Sequence, residues 1–238
     1  MGKHYYKGKQ RNYKLLFKAL SFLTITLGAL VFMYTFFPLI SWQIYFAPAF
    51  ASQKIQAPIP NYTLLNPSSI GGLISSATTS LNTDYTNAYN WYPGIKDIGQ
   101  NIGTYTISIP KIEINEAVVT NEDSDLSKHL VQFNADTLPP KEGNTVIFGH
   151  STLPQLYDPN NYKTIFANAY KLTTNDQIIV HINNAKYTYK IENITVVDAT
   201  DTSVLAQNFS DSFITIITCT PPGTVWKRLI IKARIQKI

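Results

Sequence analysis

The chain holds one cysteine among its 238 residues, Cys219, and no acidic residue before Asp84. A lone thiol excludes an intramolecular disulfide framework. The four histidines, at positions 4, 129, 150 and 181, are too scattered to complete the four-ligand Cys/His set of a structural zinc site. There is no phosphate-cradling glycine loop and no serine-centred elbow motif, so neither a cofactor nor a metal is expected. The late first acid also explains the net charge of +5 and the pI near 9.1. Up to Asp84 the chain carries Lys3, Lys7, Lys9, Arg11, Lys14, Lys18 and Lys54, whereas from Asp84 onward 13 basic residues face 15 acidic ones. The basicity is an N-terminal feature and not the footprint of a folded nucleic-acid-binding face, so no nucleic-acid partner is expected.

Charge of either sign is absent from Ala19 to Ala51. A bilayer core of about 30 Å takes roughly 20 apolar helical residues, and this run exceeds that. Six Lys/Arg precede it, which by the positive-inside rule makes residues 1–18 a cytoplasmic tail and residues 19–46 a transmembrane signal anchor in the cell membrane. The rest of the chain then faces outward. Trp42 and Tyr45 fall where an outer interfacial belt would lie, and Pro38 is placed to kink the helix near its exit. A cleaved signal peptide competes, because Ala49-Phe50-Ala51 has the small-x-small form of a cleavage site. A secretory apolar core usually runs only about 7 to 15 residues, which favours the uncleaved anchor.

Residues 47–103 are rich in Ser, Thr, Asn, Pro and Gly, and read as an extracytoplasmic stalk and lead-in. Tyr85, Tyr89, Trp91 and Tyr92 allow its end to pack on the folded domain as a short amphipathic segment. From residue 104 the pattern becomes β-rich, with strand-like runs at 104–112, 113–121, 144–151, 176–183, 186–198, 212–220 and 227–238. Helical interludes are expected at 123–130 and 162–172. Seven or eight short strands separated by turn signals make residues 104–238 a mainly β domain, closed or nearly closed into one barrel.

Alternation along "SFITIITCT" sets Phe213, Thr215, Ile217 and Cys219 on one face and Ile214, Ile216 and Thr218 on the other. The thiol therefore ends a strand, where a rigid element aims a group that a loop exposes. A lone cysteine also serves commonly as a small buried hydrophobe, and position alone leaves both readings open. A nucleophilic thiol needs a base, most often histidine. His4 lies in the basic tail, His129 reads as a solvated imidazole in a polar segment, and His181 as an exposed strand residue. His150 ends a strand just after Gly149, as Cys219 ends its own. Beyond Cys219, "TPPGT" is stiffened by Pro221 and Pro222 and freed at Gly223, so the chain reverses and returns as "KRLIIKARI". That return holds Arg228 near the thiol, where its donors can bind a carbonyl and stabilise an oxyanion.

These residues resemble those of the sortases, cysteine transpeptidases of the bacterial cell surface. The resemblance is carried by "TVIFGHST" around His150, "IITCTPPG" around Cys219, and "KRLIIKAR" with Arg228. "ISIPKIEINEAVV" and "TLPPKEGNTVIFGH" support it. It implies an eight-stranded barrel with short helices, and a cysteine that attacks the Thr-Gly bond of a Leu-Pro-x-Thr-Gly-like sorting signal. It implies a thioacyl-enzyme resolved by an amine from a cell-wall precursor or a pilin lysine. The implied roles are Cys219 as nucleophile, His150 as general acid/base and Arg228 as substrate-positioning oxyanion support. Thr218, Ser151, Pro221 and Trp226 would contact the peptide, and surface proteins or pilins bearing a sorting signal would be the partners. Two other outcomes use the same residues: an endopeptidase that only hydrolyses its intermediate, and a silent peptide-binding module.

The chain departs from the pilus-polymerising pattern, since it ends in "RIQKI" without a second apolar run and its lead-in lacks an Asp-Pro-aromatic lid motif. The nine-residue step from Cys219 to Arg228 and the "TCTP" turn look more like the pilin and class D/E branches. The lead-in is still long enough to cover the groove, in which case removal of residues 52–100 raises turnover.

Overall fold

The structure, a computed structural model, describes residues 13–41, 83–93, 95, 103–133 and 137–237. The uncharged run folds as a helix, α1 (Tyr13–Ser41), which continues through Pro38. From Phe17 to Tyr34 it is long and apolar enough to cross a membrane, and its side chains are exposed. Two of its threonines are satisfied within the helix: the Thr24 hydroxyl donates to the Leu20 and Ser21 carbonyls, and Thr26 to Phe22. Such back-bonding lets hydroxyls sit in an apolar run without an unmet donor. Trp42, Tyr45 and Ala49–Ala51 lie outside the described residues.

Eight strands close into a barrel in the order β1-β2-β3-β4-β7-β8-β6-β5. They are β1 (Thr104–Ile109), β2 (Ile114–Thr120), β3 (Leu130–Gln132), β4 (Gly143–Phe148), β5 (Gln177–Ile182), β6 (Ala185–Asp198), β7 (Ser212–Thr220) and β8 (Lys227–Ile235). Most neighbours run antiparallel, but β2–β3 and β4–β7 are parallel. β3 is the strand that sequence patterning did not find; three residues are too few to show a period. The helical interludes are not α-helices. Residues 123–129 form a turn and irregular chain leading into β3, and 162–172 form turns ending in a short 3-10 segment, Ala169–Lys171. Their side chains take the amides a helix would use: Asp123 accepts from the Asp125 amide, Asp125 from Ser127 and Asn161 from Lys163.

Both faces of β4 and β7 are buried, which accounts for their near-continuous β-branched sequences. One face fills the barrel with Ile147, Ile214, Ile216, Leu229, Ile231 and Ala233. The opposite face carries Val146, Phe148, Ile217, Cys219 and Ile230, and it meets a second apolar cluster outside the barrel. That cluster is closed by the lead-in. A 3-10 turn, Ala88–Trp91, capped by the Asn87 side chain, buries Ala88, Trp91 and Tyr92. It is tied down by Ala88 N–H donating to the Ser124 carbonyl at 2.9 Å and Leu126 N–H donating to the Thr86 carbonyl at 2.8 Å. The aromatic residues at the end of the lead-in thus pack on the domain, as their spacing led us to expect.

Candidate active site

Three neighbouring strands bring the candidate side chains to one end of this outer face. In the β7–β8 ladder Cys219 pairs directly with Arg228. In the parallel β4–β7 ladder the last pair is Phe148 with Ile217, and the same register carried two residues further would set His150 level with Cys219. Alternation sends all three side chains outward, because Phe148, Ile217 and Ile230, two residues away from each, belong to the outer cluster. Register fixes Cys219 beside Arg228, and His150 follows two residues after the end of β4.

Arg228 is only 1% exposed, yet among the described residues it forms no salt bridge. Its Nη1 lies 3.6 Å from Cys219 Sγ and donates to the Val225 carbonyl at 3.1 Å. Its Nε has no hydrogen-bond partner among the described residues. A guanidinium buried this way needs other compensation. Part comes from aromatic faces: the Trp91 ring centroid lies 4.8 Å from Cζ and the Tyr85 centroid 5.9 Å. The unpaired Nε and the thiol-directed Nη1 leave donor capacity for a substrate oxygen.

Cys219 is 5% exposed, and burial pushes its thiol up from the ordinary 9.0 while Arg228 pulls it back. Burial pushes the His150 imidazole down from 6.5, opposed by Asp125 and Asp84. The low-dielectric setting disfavours charge on both, so thiol and imidazole rest neutral near pH 7. Trp91 also faces His150, with ring centroids 6.1 Å apart. Its indole N–H is held by the Tyr85 carbonyl at 2.9 Å.

The other sequence-derived candidates fall in different places. The Ser151 hydroxyl donates to the Cys219 carbonyl at 2.6 Å, and the buried Thr218 hydroxyl donates to the Gly149 carbonyl at 2.8 Å. Pro221 is buried at the start of the β7–β8 turn, and Trp226 stands 56% exposed at its end. His129 departs from the solvated imidazole expected: it is buried, with Nδ1 at 3.1 Å from the Leu130 carbonyl and Nε2 at 2.9 Å from Asp123. Trp91 as a neighbour of both His150 and Arg228 was not evident from the sequence, because nothing local links residue 91 to strand ends so distant in the chain.

A closed eight-stranded barrel with thiol, imidazole and guanidinium level on adjacent strands defines a class, the β-barrel proteins with a cysteine-centred surface site. The chain belongs to the sortase family: the sortase domain model matches residues 107–236. Sortase D of Bacillus subtilis is 27% identical over 129 residues, 52% of this chain. That alignment spans only 60% of the relative's own length. Among solved structures, sortase A from Corynebacterium diphtheriae is 21% identical with a TM-score of 0.51, over 72% of this chain and 84% of that one. A Clostridium perfringens sortase D5 transpeptidase is 29% identical with a TM-score of 0.49, over 58% of this chain and 82% of that one.

Proposed function

We propose that this protein is a membrane-anchored cysteine transpeptidase that cleaves a Leu-Pro-x-Thr-Gly-like sorting signal and passes the acyl part to an amine. The observation that carries the reading is Cys219 paired with Arg228 across β7–β8, with Arg228 Nη1 at 3.6 Å from Sγ, next to the end of β4 that leads into His150. Because thiol and imidazole rest neutral, the Cys219 proton passes to His150 as sulfur attacks the scissile carbonyl. Arg228 donates to the oxygen on which negative charge develops. His150 then protonates the leaving amine and the thioacyl-enzyme remains. An incoming amine attacks the thioester and gives its proton to His150, the C–S bond breaks, and His150 returns the proton to the departing Cys219 sulfur. The β7–β8 turn, with Pro221 and the exposed Trp226, forms one rim of the peptide groove.

In the same proposal residues 1–18 are a cytoplasmic tail, 19–46 the single-pass anchor, 47–103 an extracytoplasmic lead-in and 104–238 the catalytic barrel. The exposed apolar length of α1 supports the anchor. Substrates are surface proteins or pilins bearing a sorting signal, and acceptors are a cell-wall precursor or a pilin lysine. The test is incubation of the full chain in detergent micelles with a panel of Leu-Pro-x-Thr-Gly peptides, with and without amine acceptors, beside Cys219→Ala. Amide product from the native chain alone is expected. Turnover by Cys219→Ala overturns the assignment, hydrolysis whatever amine is supplied makes the protein an endopeptidase, and binding without turnover makes it a silent module.

A further inference from the structure

The main-chain ladder between β4 and β7 stops short of the residues it has to align. Phe148 is the last residue of β4, and the last main-chain bond between the two strands is Gly149 N–H to the Ile217 carbonyl, at 3.3 Å. The next carbonyl, that of His150, turns the other way and accepts from the Phe166 amide at 3.0 Å. Where the ladder ends, two side-chain hydroxyls take over. Thr218, the residue before Cys219, donates to the Gly149 carbonyl, the residue before His150, at 2.8 Å. Ser151, the residue after His150, donates to the Cys219 carbonyl at 2.6 Å. One bridge comes from each strand, and together they bracket the imidazole and the thiol.

We propose that Thr218 and Ser151 are positioning residues, a pair of crossed hydroxyl bridges that fix His150 against Cys219, in place of the peptide contacts expected from the sequence. Thr218 is 1% exposed and lies on the face opposite Cys219, so its hydroxyl is sealed from the groove. Each bridge is an ordinary hydroxyl-to-carbonyl hydrogen bond, a modest contributor to stability. Their weight falls on rate, since proton transfer needs base and thiol held within a fraction of an ångström.

The proposal rests on the transpeptidase reading, and the experiment separates the two. Full-length Ser151→Ala, Ser151→Thr, Thr218→Val and Thr218→Ser are assayed beside native chain and Cys219→Ala on a Leu-Pro-x-Thr-Gly peptide with an amine, with kcat corrected for the folded fraction by circular dichroism. The expected result is a kcat about tenfold lower or more for Ser151→Ala and Thr218→Val, KM within about twofold of native, and recovery in Ser151→Thr and Thr218→Ser. Native kcat in Ser151→Ala overturns the bridge, as does a rise in KM alone, which would make these hydroxyls peptide contacts. Ser151→Ala, at the half-buried exit of the strand, keeps the test open if Thr218→Val does not fold. Activity in Cys219→Ala sinks the underlying reading instead.

Discussion

The indole of Trp91 lies over the guanidinium of Arg228, 4.8 Å from ring centroid to Cζ. The same ring faces His150 at 6.1 Å, so the end of the lead-in packs beside the candidate site, whose Cys219 is 5% exposed. We expect a peptide to reach Cys219 by displacing this segment. Trp91→Ala is therefore expected to speed alkylation of Cys219 by iodoacetamide about tenfold or more, because the thiol no longer waits for local opening. Removing so large a buried ring also costs about 3 kcal/mol of stability, read as a lower Tm. Turnover should rise, as it should when residues 52–100 are deleted. Unchanged alkylation and unchanged turnover would mean that the segment is a fixed wall of the groove.

Arg228 offers two separable properties, a charge and a planar fork of donors. Arg228→Lys keeps the charge but loses the planar set of donors in which Nη1 reaches both Sγ and the Val225 carbonyl while Nε has no hydrogen-bond partner among the described residues. Its kcat should fall by about 10²-fold or more, the cost of a missing oxyanion donor, while the thiol's titration stays near native. Arg228→Gln removes the charge that lowers the Cys219 pKa, so its alkylation midpoint moves to higher pH. A native kcat in Arg228→Lys would show that charge alone is sufficient.

Burial acts on the two titrating groups in opposite directions, and the pH dependence follows from both. The folded His150 value lies below 6.5, so its burial supports the fold above pH 6.5, and that support is lost as pH falls through the folded value. The folded Cys219 value lies above 9.0, so its contribution is present below pH 9.0 and lost as pH rises through the folded value. As far as these two groups decide it, Tm is highest between 6.5 and 9.0. His150→Gln should flatten the acid limb and Cys219→Ala the alkaline limb in thermal melts that extend below and above that range. An alkylation midpoint for native Cys219 at or below 9.0 would contradict the burial account.

Much of this arrangement was legible in the sequence because it depends on short-range periodicity. Seven strands carry β-branched runs long enough to show a face, and alternation assigned Cys219 to the side it occupies. Strand-end placement singled out His150 among four histidines for the same reason. Pairing between distant segments left no such trace. β3 is three residues held by β2 on one side and β4 on the other, and its strand character comes from those neighbours. His129 looked solvated because its flanking residues are polar, yet Asp123 and the Leu130 carbonyl fold back to take both ring nitrogens. The helical pattern at 162–172 gave way to turns because Asn161 and Asp158 capture nearby amides.

Gly149 is where packing and alignment of the site meet. A Cβ there would lie 2.3 Å from Phe166 Cε2 and 2.6 Å from Leu130 Cδ2, so even alanine forces the Phe166 ring aside. Phe166 is also the residue whose amide holds the His150 carbonyl, and moving it moves the imidazole. Overpacking of this kind costs about 1–3 kcal/mol in a closed core. Displacing a catalytic group by about 1 Å costs about 10²-fold in rate, so activity should suffer more than Tm in Gly149→Ala. Phe166→Leu makes room for the methyl group, and the double variant should recover part of the lost kcat, giving a coupling that a double-mutant cycle measures. Strictly additive losses in the double variant would show that Gly149 is required for something other than the close approach of Phe166.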